Sequence, residues 1–394
     1  MSQHLMNNYG RLPVTFTKGQ GVWLWDDQGN QYLDALSGIA VTGLGHSHPE
    51  FVKAISAQAA TLMHVSNVYQ IAEQARLADK LAEISGMDKV FFCNSGCEAN
   101  EAQIKLARLY AHNKGITNPE IIVMDKSFHG RTLATLSATG NRKVQAGFEP
   151  LVSGFVRVPF DDIEAVKQVA ARKNNVVAIL VEPVQGEGGI HIPADMKAYF
   201  EALRQICDDN DWLLMLDEVQ SGIGRTGTWF AFQHTGVMPD VMSLAKGLGS
   251  GVPIGACVAK GKAAEVFTPG KHGSTFGGNP FAMSAGLATL AIIEQEKLRE
   301  NAEAMGDFIH QQFAEAFKGN AAIVNIRHAG LMIGIELDRP CAELVKIALA
   351  NKLLINVTAD KVIRLLPALI ITQEEAQELV NRLVSVVDHF LKAA

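Results

Sequence analysis

The sequence is poor in cysteine, and its few cysteines are not arranged to pair or to bind metal. Five of them are scattered through 394 residues without a C-x-x-C pair, at positions 93, 97, 207, 257 and 341. A disulfide framework usually needs an even set of cysteines, and a structural zinc site needs closely spaced ligands. We therefore predict neither, and a reducing cytosol is the expected location.

Long apolar runs and a strong charge of one sign are also missing. No apolar run approaches the roughly 18 residues that span a bilayer, and residues 1–14 lack the basic start and apolar core of a secretory signal. The formal net charge of −6 gives no electrostatic reason to expect nucleic acid or a membrane as partner. With 48% hydrophobic residues, the chain predicts a packed, soluble, cytoplasmic protein of two or three domains.

Between residues 90 and 216, short β-branched runs alternate with longer amphipathic segments. The runs are typical of buried strands, and the segments between them carry apolar residues at helical spacing. The predicted strands are 90–92, 121–124, 176–181 and 213–216, and the predicted helices are 98–112, 161–173 and 194–210. This alternation predicts an α/β protein with a mostly parallel sheet covered by helices on both faces.

The two ends of the chain follow a different pattern. Residues 21–34 alternate apolar and polar side chains around an Asp-Asp-Gln-Gly-Asn turn, which indicates a β-hairpin. The C-terminal third contains helical stretches followed by strands and a last helix, at 281–295, 299–317, 332–337, 362–366 and from 374. We predict that an N-terminal segment, 1–45, packs with a small α+β domain, 279–394, beside a large domain, 46–278.

A glycine-rich segment follows the strand predicted at 213–216. Residues 222–227 match G-x-G-x-x-G, but that dinucleotide fingerprint requires a helix to open at its last glycines. Thr228-Trp229-Phe230 follows instead, so an NAD-dependent dehydrogenase is disfavoured and stays as an alternative of a different class. Asp217 and Glu218 precede the glycines, at the strand end where α/β sheets present ligand-binding groups.

One lysine, Lys246, stands among small and apolar residues in the segment 243–256. A lysine in such a loop is more often solvated than functional. Neighbours without bulk nevertheless let a flat ligand approach, and desolvation lowers the pKa of an ammonium toward the free amine that a Schiff base needs. A lysine that forms an imine and an aspartate that holds a pyridinium nitrogen are the groups that pyridoxal phosphate chemistry requires. Lys246 and Asp217 are the candidates.

The segment from Asp217 to Gly227, followed by Lys246, resembles the class III, or ornithine/ω-amino acid, aminotransferases. Other segments occur in the order typical of that family, at 43–49, 94–100, 127–131, 182–189, 273–280 and 364–367. The resemblance extends over nearly the whole chain. It implies an α/β transferase of fold type I, dependent on pyridoxal phosphate. A large domain would hold a mostly parallel seven-stranded sheet, with a smaller α+β domain formed by the N- and C-terminal segments.

The resemblance implies pyridoxal 5'-phosphate as the cofactor and gives its parts to particular residues. Lys246 would hold it as a Schiff base and move the proton, and Asp217 would keep the ring nitrogen protonated. Phe128 would stack on the ring. The turn Ser95-Gly96-Cys97 would bind the phosphate at a helix N-terminus. The other implied contacts are Glu218, Val219, Gln220 beside the ring hydroxyl and, toward the cofactor of the neighbouring subunit, Thr275.

For the substrates, the resemblance implies two carboxylate-binding arginines and one switching glutamate. Arg364 would take the carboxylate beside the reacting carbon of 2-oxoglutarate, and Arg131 the distal one. Glu187 would neutralise Arg364 when the donor reacts through a terminal amine, because a buried unpaired guanidinium is costly. Ser274 would lie near the substrate.

Ile39 bears on the choice of amino donor. Related ornithine δ-aminotransferases carry in this segment a tyrosine that contacts the free α-amino group, whereas isoleucine tolerates an N-acyl group. The resemblance therefore favours N2-acetyl-L-ornithine and 2-oxoglutarate, giving N-acetyl-L-glutamate 5-semialdehyde and L-glutamate, as in arginine biosynthesis. N-succinylornithine and N-succinyl-LL-diaminopimelate, then ornithine and 4-aminobutyrate, stay as alternative donors. A non-catalytic oligomeric binding protein with the same fold is a further alternative.

Two expectations concern partners and metals. The resemblance implies a homodimer with shared active sites. His46 and His48 form an H-x-H pair, but such a pair without carboxylate or thiolate partners is more often structural. We therefore predict no metal site.

Overall fold

The computed structural model describes residues 4–393. Residues 1–3 and 394, at the ends of the predicted terminal segments, lie outside the described residues. The strands are β1 (Phe16–Gln20), β2 (Trp23–Asp26), β3 (Gln31–Asp34), β4 (Lys89–Cys93), β5 (Glu120–Met124), β6 (Phe155–Val158), β7 (Val176–Val181), β8 (Leu213–Asp217), β9 (Val241–Leu244), β10 (Gly255–Ala259), β11 (Ile323–Ala329), β12 (Met332–Leu337), β13 (Leu353–Leu354), β14 (Asn356–Thr358) and β15 (Val362–Leu365). The helices are α1 (Ser37–Ala40), α2 (Pro49–Thr61), α3 (Ala72–Ser85), α4 (Gly96–Asn113), α5 (Leu133–Ala138), α6 (Arg142–Gln145), α7 (Ile163–Arg172), α8 (Met196–Asn210), α9 (Pro280–Gln295), α10 (Leu298–Ala316), α11 (Leu344–Ala350) and α12 (Gln373–Ala393). Short 3₁₀ helices occur at Ala231–His234, Lys246–Gly249 and Gly261–Glu265.

The central sheet of the described chain has seven strands in the order β4-β10-β9-β8-β7-β5-β6. The pairs from β9 through β8, β7 and β5 to β6 are parallel, and β10 is antiparallel to both β4 and β9. Every residue of β7 and β8 is buried, as expected for strands with helices on both faces. The predicted α/β fold with a mostly parallel seven-stranded sheet is confirmed.

The two ends of the chain share a smaller sheet, in the order β1-β2-β3-β13. The predicted hairpin forms between β2 and β3, and Asp26 Oδ1 closes its turn by accepting from the backbone N of Gln28 and of Asn30. β13 pairs in parallel with β3, so residues near the C-terminus complete the N-terminal sheet. The third sheet, β11-β12-β15-β14, is antiparallel.

Several loops meet at the carboxyl edge of the central sheet. β4 leads into the turn that begins α4, β5 into residues 125–132, β7 into residues 182–187, β8 ends at Asp217, and β9 is followed closely by Lys246. β10 runs in the opposite direction and begins at this edge with Gly255. This arrangement brings the predicted site segments together. Within residues 4–393, no helix is long and apolar enough to cross a bilayer.

Candidate active site

A cavity of about 350 Å³ lies among these loops. It is lined by the side chains or backbone of most of the residues predicted to bind the cofactor: Ser95, Gly96, Cys97, Phe128, Asp217, Val219, Gln220 and Lys246. The substrate candidate Glu187 also lines it. Segments far apart in the sequence therefore converge on one space.

Lys246 faces this cavity from a constrained backbone. Its φ of 44° lies in the left-handed region, where a residue with a side chain is disfavoured and which is often found at functional sites. Desolvation lowers the pKa of the Lys246 ammonium, and the positive charge of Arg364 acts in the same direction. Glu187 and Asp217 oppose the shift without cancelling it. The amine is thus biased toward the free base, which is the nucleophilic and proton-accepting form.

Asp217 is buried and held by donors from several other segments. Its Oδ2 accepts from Asn100 Nδ2 at 2.7 Å and lies 2.8 Å from His129 Nδ1, which carries the hydrogen because a carboxylate only accepts. Its Oδ1 accepts from the backbone N of Val219 at 3.0 Å. His129 and Asn100 were not among the predicted site residues, although both lie inside the segments that carry the family resemblance.

The N-terminus of α4 forms another wall of the cavity. The Ser95 hydroxyl caps the helix by accepting from the backbone N of Glu98, and first-turn N–H groups of a helix have no partner within it. Such groups and the helix dipole bind a phosphate. A Cβ on Gly96 would lie 2.7 Å from the Val219 side chain, so the turn can approach the residues after Asp217 only with glycine at this position.

Glu182 joins the loop of Phe128 to the loop of Glu187. Its Oε1 accepts from the backbone N of Phe128 at 2.8 Å, and its Oε2 accepts from the backbone N of Gly186 at 3.2 Å. Burial raises the pKa of Glu182 to about 7. Glu182 was not among the predicted site residues. It fixes the backbone on one side of the cavity.

Arg364, on β15, is fully buried and pairs with Glu187. Arg364 Nη1 lies 2.7 Å from Glu187 Oε1 and 3.4 Å from Gln220 Oε1, and Nε donates to Asn356 Oδ1 at 3.0 Å. Nη2 is buried and has no hydrogen-bond partner among the described residues. The Glu187 side chain is 33% exposed, so it has room to move while the arginine does not.

A second cavity, of about 370 Å³, adjoins the first and shares Phe128 and Glu187 with it. Arg131 lies here, its Cζ 5.6 Å from the centroid of the Phe128 ring. Further cationic side chains line this cavity, from Lys126, Arg142 and Lys143, and Lys143 pairs with Asp360. The excess of positive charge suits an anionic group.

Glu218 and Ile39 are further predicted site residues that do not line the first cavity. The Glu218 carboxylate accepts from Ser221 Oγ and from the backbone N of Ala231 and of Phe232, and burial raises its pKa to about 7. Ile39 has a φ of 69° and packs beside a small apolar cluster, whereas Val41 lines the cavity.

Ser274 and Thr275 lie on a loop outside the first cavity. Ser274 Oγ accepts from Asn94 Nδ2 at 3.2 Å and from the backbone N of Gly277 at 2.9 Å, while Thr275 is exposed. The Asn94 contact links this loop to the segment that begins α4.

The motifs that sequence reasoning set aside have local roles. Residues 222–227 form turns, and a short 3₁₀ helix at Ala231–His234 is the next regular element, so the dinucleotide-binding geometry is not formed. His46 Nε2 lies 2.8 Å from Asp34 Oδ2 and His48 Nε2 lies 3.1 Å from Glu296 Oε1, so the two histidines have different partners.

The fold and the site together define an enzyme class. A desolvated lysine, a buried carboxylate and a helix N-terminus face one cavity at the carboxyl edge of a mostly parallel sheet, which fits a flat phosphorylated ring with a basic nitrogen. This combination suits a pyridoxal-phosphate-dependent enzyme of fold type I. The chain matches the family described as aminotransferase class III over residues 5–387 and belongs to it. It is therefore an aminotransferase that uses pyridoxal phosphate.

Individual relatives cover nearly the whole chain. The acetylornithine aminotransferase of Nitrosomonas europaea is 63% identical over 99% of both chains. The structure of N-acetylornithine aminotransferase from Stenotrophomonas maltophilia has a TM-score of 0.85 at 35% identity and covers 98% of both chains. An ornithine aminotransferase structure from Toxoplasma gondii, described with PLP at its active site, has a TM-score of 0.93 at 33% identity and covers 98% of this chain and 92% of its own.

Proposed function

We propose that this aminotransferase acts on N2-acetyl-L-ornithine, moving its terminal amino group reversibly to 2-oxoglutarate by a ping-pong reaction. The products are N-acetyl-L-glutamate 5-semialdehyde and L-glutamate. The observation that carries the proposal is the pair of Arg364 and Glu187 beside the Lys246 cavity. A fixed arginine with a removable counter-ion suits one site that must bind a substrate with, and then a substrate without, a carboxylate beside the reacting carbon. The relatives from Nitrosomonas and Stenotrophomonas support the same donor.

Different residues around the cavity would bind different parts of the cofactor. When bound, pyridoxal phosphate supplies a ring that takes up the electron pair left when a proton leaves the amino-bearing carbon. The Ser95-Gly96-Cys97 turn would hold its phosphate, Phe128 would cover one face of the ring, and Asp217 would hold its nitrogen. Gln220 and Val219 line the same space. Asn100 and His129 keep the Asp217 carboxylate in one orientation.

Lys246 Nζ is the group that moves the proton. Its lowered pKa makes the free amine available, so in one half-reaction it would take the proton from the terminal carbon of the donor and pass it to the cofactor. In the other half-reaction it would move a proton in the reverse direction, to the oxo carbon of the acceptor. Its position on a short 3₁₀ helix directly after β9 limits where the nitrogen can reach. The same group therefore serves both half-reactions.

The donor would place its anionic end in the second cavity. Arg131 would bind the α-carboxylate of the donor, and the acetyl group would lie in the remaining volume of that cavity. Arg364 would stay paired with Glu187, because no carboxylate lies beside the reacting terminal carbon. The uncharged acetyl group needs no ionic partner there.

The acceptor would use both arginines. Arg364 would bind the carboxylate beside the oxo carbon of 2-oxoglutarate, and Arg131 would bind the distal one. Glu187 would turn toward the second cavity, which it also lines. The unpartnered Nη2 of Arg364 is the donor that is free for this carboxylate.

We also propose a cytoplasmic homodimer in which Thr275 contacts the cofactor phosphate of the partner subunit and Ser274 lies near the substrate. Thr275 and Phe276 are exposed, and the same surface carries Val68 and Tyr69, which are 80% and 67% exposed. Asn67 donates to the backbone O of Ser274, so these segments are contiguous. An apolar surface of this kind suits contact with a second copy.

The test measures bleaching of the lysine-bound cofactor by a panel of amines in single turnover. The panel contains N-acetylornithine, N-succinylornithine, N-succinyl-diaminopimelate, ornithine and 4-aminobutyrate, and N-acetylornithine should react fastest. A faster reaction with another donor would replace the proposed substrate, and no reaction with any donor would favour a non-catalytic binding protein. Lys246→Ala should abolish turnover, whereas the exposed Lys197→Ala should not.

A further inference from the structure

The Arg364 guanidinium has three side-chain acceptors among the described residues, and the two nearest, Glu187 and Asn356, differ in chemistry. Glu187 is charged and lies on the loop after β7, whereas Asn356 is neutral and lies on β14, directly across from Arg364 in the third sheet. The two side chains of this cross-strand pair meet through a 3.0 Å hydrogen bond from Nε to Oδ1. Glu187 is partly exposed on a loop, whereas Asn356 is fixed to the strand that neighbours Arg364.

The neutral acceptor becomes important when the charged one leaves. A guanidinium is planar, so a fixed Nε direction also fixes the directions of Nη1 and Nη2. With Glu187 withdrawn, the remaining side-chain acceptors of Arg364 among the described residues are Asn356 and, at a longer distance, Gln220. Asn356 binds only Nε, so it occupies neither Nη group. Nη2 has no partner and Nη1 keeps only the 3.4 Å contact with Gln220, so the two can bind a carboxylate as a fork.

The chemistry of an amide suits this task better than that of a carboxylate. Asn356 Oδ1 satisfies one buried donor without adding charge. An aspartate at the same position would neutralise Arg364 permanently. It would then compete with the substrate carboxylate for Arg364.

We propose that Asn356 is a positioning residue that keeps Arg364 aimed at the carboxylate of the oxo acid while Glu187 is withdrawn. This inference rests on the proposed function, because it assumes that Arg364 binds the oxo acid in one half-reaction and Glu187 in the other. Asn356 thereby supports the acceptor specificity of the enzyme without contacting the acceptor.

The experiment separates the two half-reactions in the holoenzyme. Asn356→Leu removes the acceptor at similar size, and Asn356→Asp keeps the shape and adds a charge. Asn325→Asp, at an exposed position on β11 of the same sheet, is the matched control for a charge change. Single-turnover absorbance follows the reaction with N-acetylornithine in one series and the reactions with glutamate and 2-oxoglutarate in the other.

Both Asn356 variants should raise the half-saturating concentration of glutamate and of 2-oxoglutarate about tenfold or more, because the Nε donor loses its neutral partner or gains a charged one. The half-reaction of N-acetylornithine should change less than about twofold, since Glu187 holds Arg364 there. That retained half-reaction also shows that the variant is folded. Equal losses in both half-reactions, or no loss with either Asn356 variant, would overturn the inference.

Failure of the positioning role of Asn356 can be told apart from failure of the proposed function. If the unmodified enzyme reacts with glutamate but not with N-acetylornithine, the proposed donor is wrong. The amine half-reaction of the Asn356 variants is then measured with the best ω-amine of the panel instead of N-acetylornithine. A split between the two half-reactions would still support the positioning role, and its absence would contradict it.

Discussion

Replacing Gly255 with alanine should disturb the phosphate-binding turn from the neighbouring strand. Gly255 begins β10 and pairs with Cys93 at the end of β4. An added Cβ would lie 2.4 Å from the backbone O of Ser95 and 2.8 Å from Cys93 Sγ. Carbon–oxygen contacts need more than about 3.0–3.4 Å, so the backbone has to move by roughly 0.6–1 Å. We expect the free energy of unfolding to fall by about 1–3 kcal/mol.

The effect on cofactor binding should be similar in free energy to the effect on stability, because a tenfold to hundredfold change in affinity is about 1.4–2.7 kcal/mol. The shift acts on Ser95, whose hydroxyl caps α4, and therefore on the N–H groups of Gly96 and Cys97. A displacement of roughly 1 Å at a binding group can weaken it by about a hundredfold. We expect the affinity for pyridoxal phosphate to fall between about tenfold and a hundredfold.

Cofactor titration by fluorescence and urea unfolding of the cofactor-free protein measure the two effects. Gly10→Ala is the control, because nothing lies within 4 Å of a Cβ at that position. If Gly255→Ala matches Gly10→Ala in both affinity and stability, the close approach of β10 to Ser95 does not constrain the site and the reasoning is refuted.

Three further changes test other parts of the site. Glu187→Gln leaves Arg364 without a counter-ion, so the N-acetylornithine half-reaction should slow about tenfold or more in stopped-flow absorbance, while the glutamate half-reaction is largely kept. Equal slowing of both half-reactions would contradict the proposal that Glu187 neutralises Arg364 only in the amine half-reaction. His129→Leu removes a donor to Asp217 and should lower cofactor affinity about tenfold in a titration, and unchanged affinity would contradict that role. The pKa of Glu218 is raised by burial from 4.5 to about 7, so the stability from its neutral form is complete below pH 4.5 and is lost as the pH rises through 7. The free energy of unfolding should therefore fall relative to Glu218→Gln by about 3 kcal/mol between pH 5 and pH 8, and a constant difference in urea unfolding would refute this.

The central sheet was predictable where a strand is apolar throughout. β7 and β8 are buried on both faces, so their uniform composition marks them within about one residue. β10 was not predicted, because Gly-Ala-Cys-Val-Ala has neither bulk nor alternation. Its small residues are explained only by the tertiary structure, in which Gly255 lies against the turn that begins α4.

The candidate site was predictable where residues belong to a motif and not where they support one. Asp217 and Lys246 follow strand ends in recognisable segments, but Asn356 has no local signal, because its role depends on the cross-strand register with Arg364. Glu218 shows that a neighbour in the sequence need not share a site: it was predicted to contact the cofactor beside Asp217, but it does not line the cavity. Successive residues of an extended chain point to opposite sides, so the neighbour of Asp217 binds the turn at residues 231–232 instead of lining the cavity.

The pairing of β3 with β13 has a consequence for the order in which the chain folds during synthesis. Leu33 leaves the ribosome early, whereas its partner Leu353 is made 320 residues later. At about 5–20 residues per second, the N-terminal hairpin waits at least roughly 16 seconds with one edge unpaired. An unpaired edge can join another strand. A nascent chain stalled before residue 353 should therefore depend on chaperones that cover this edge, whereas a chain released after β13 closes it with its own strand.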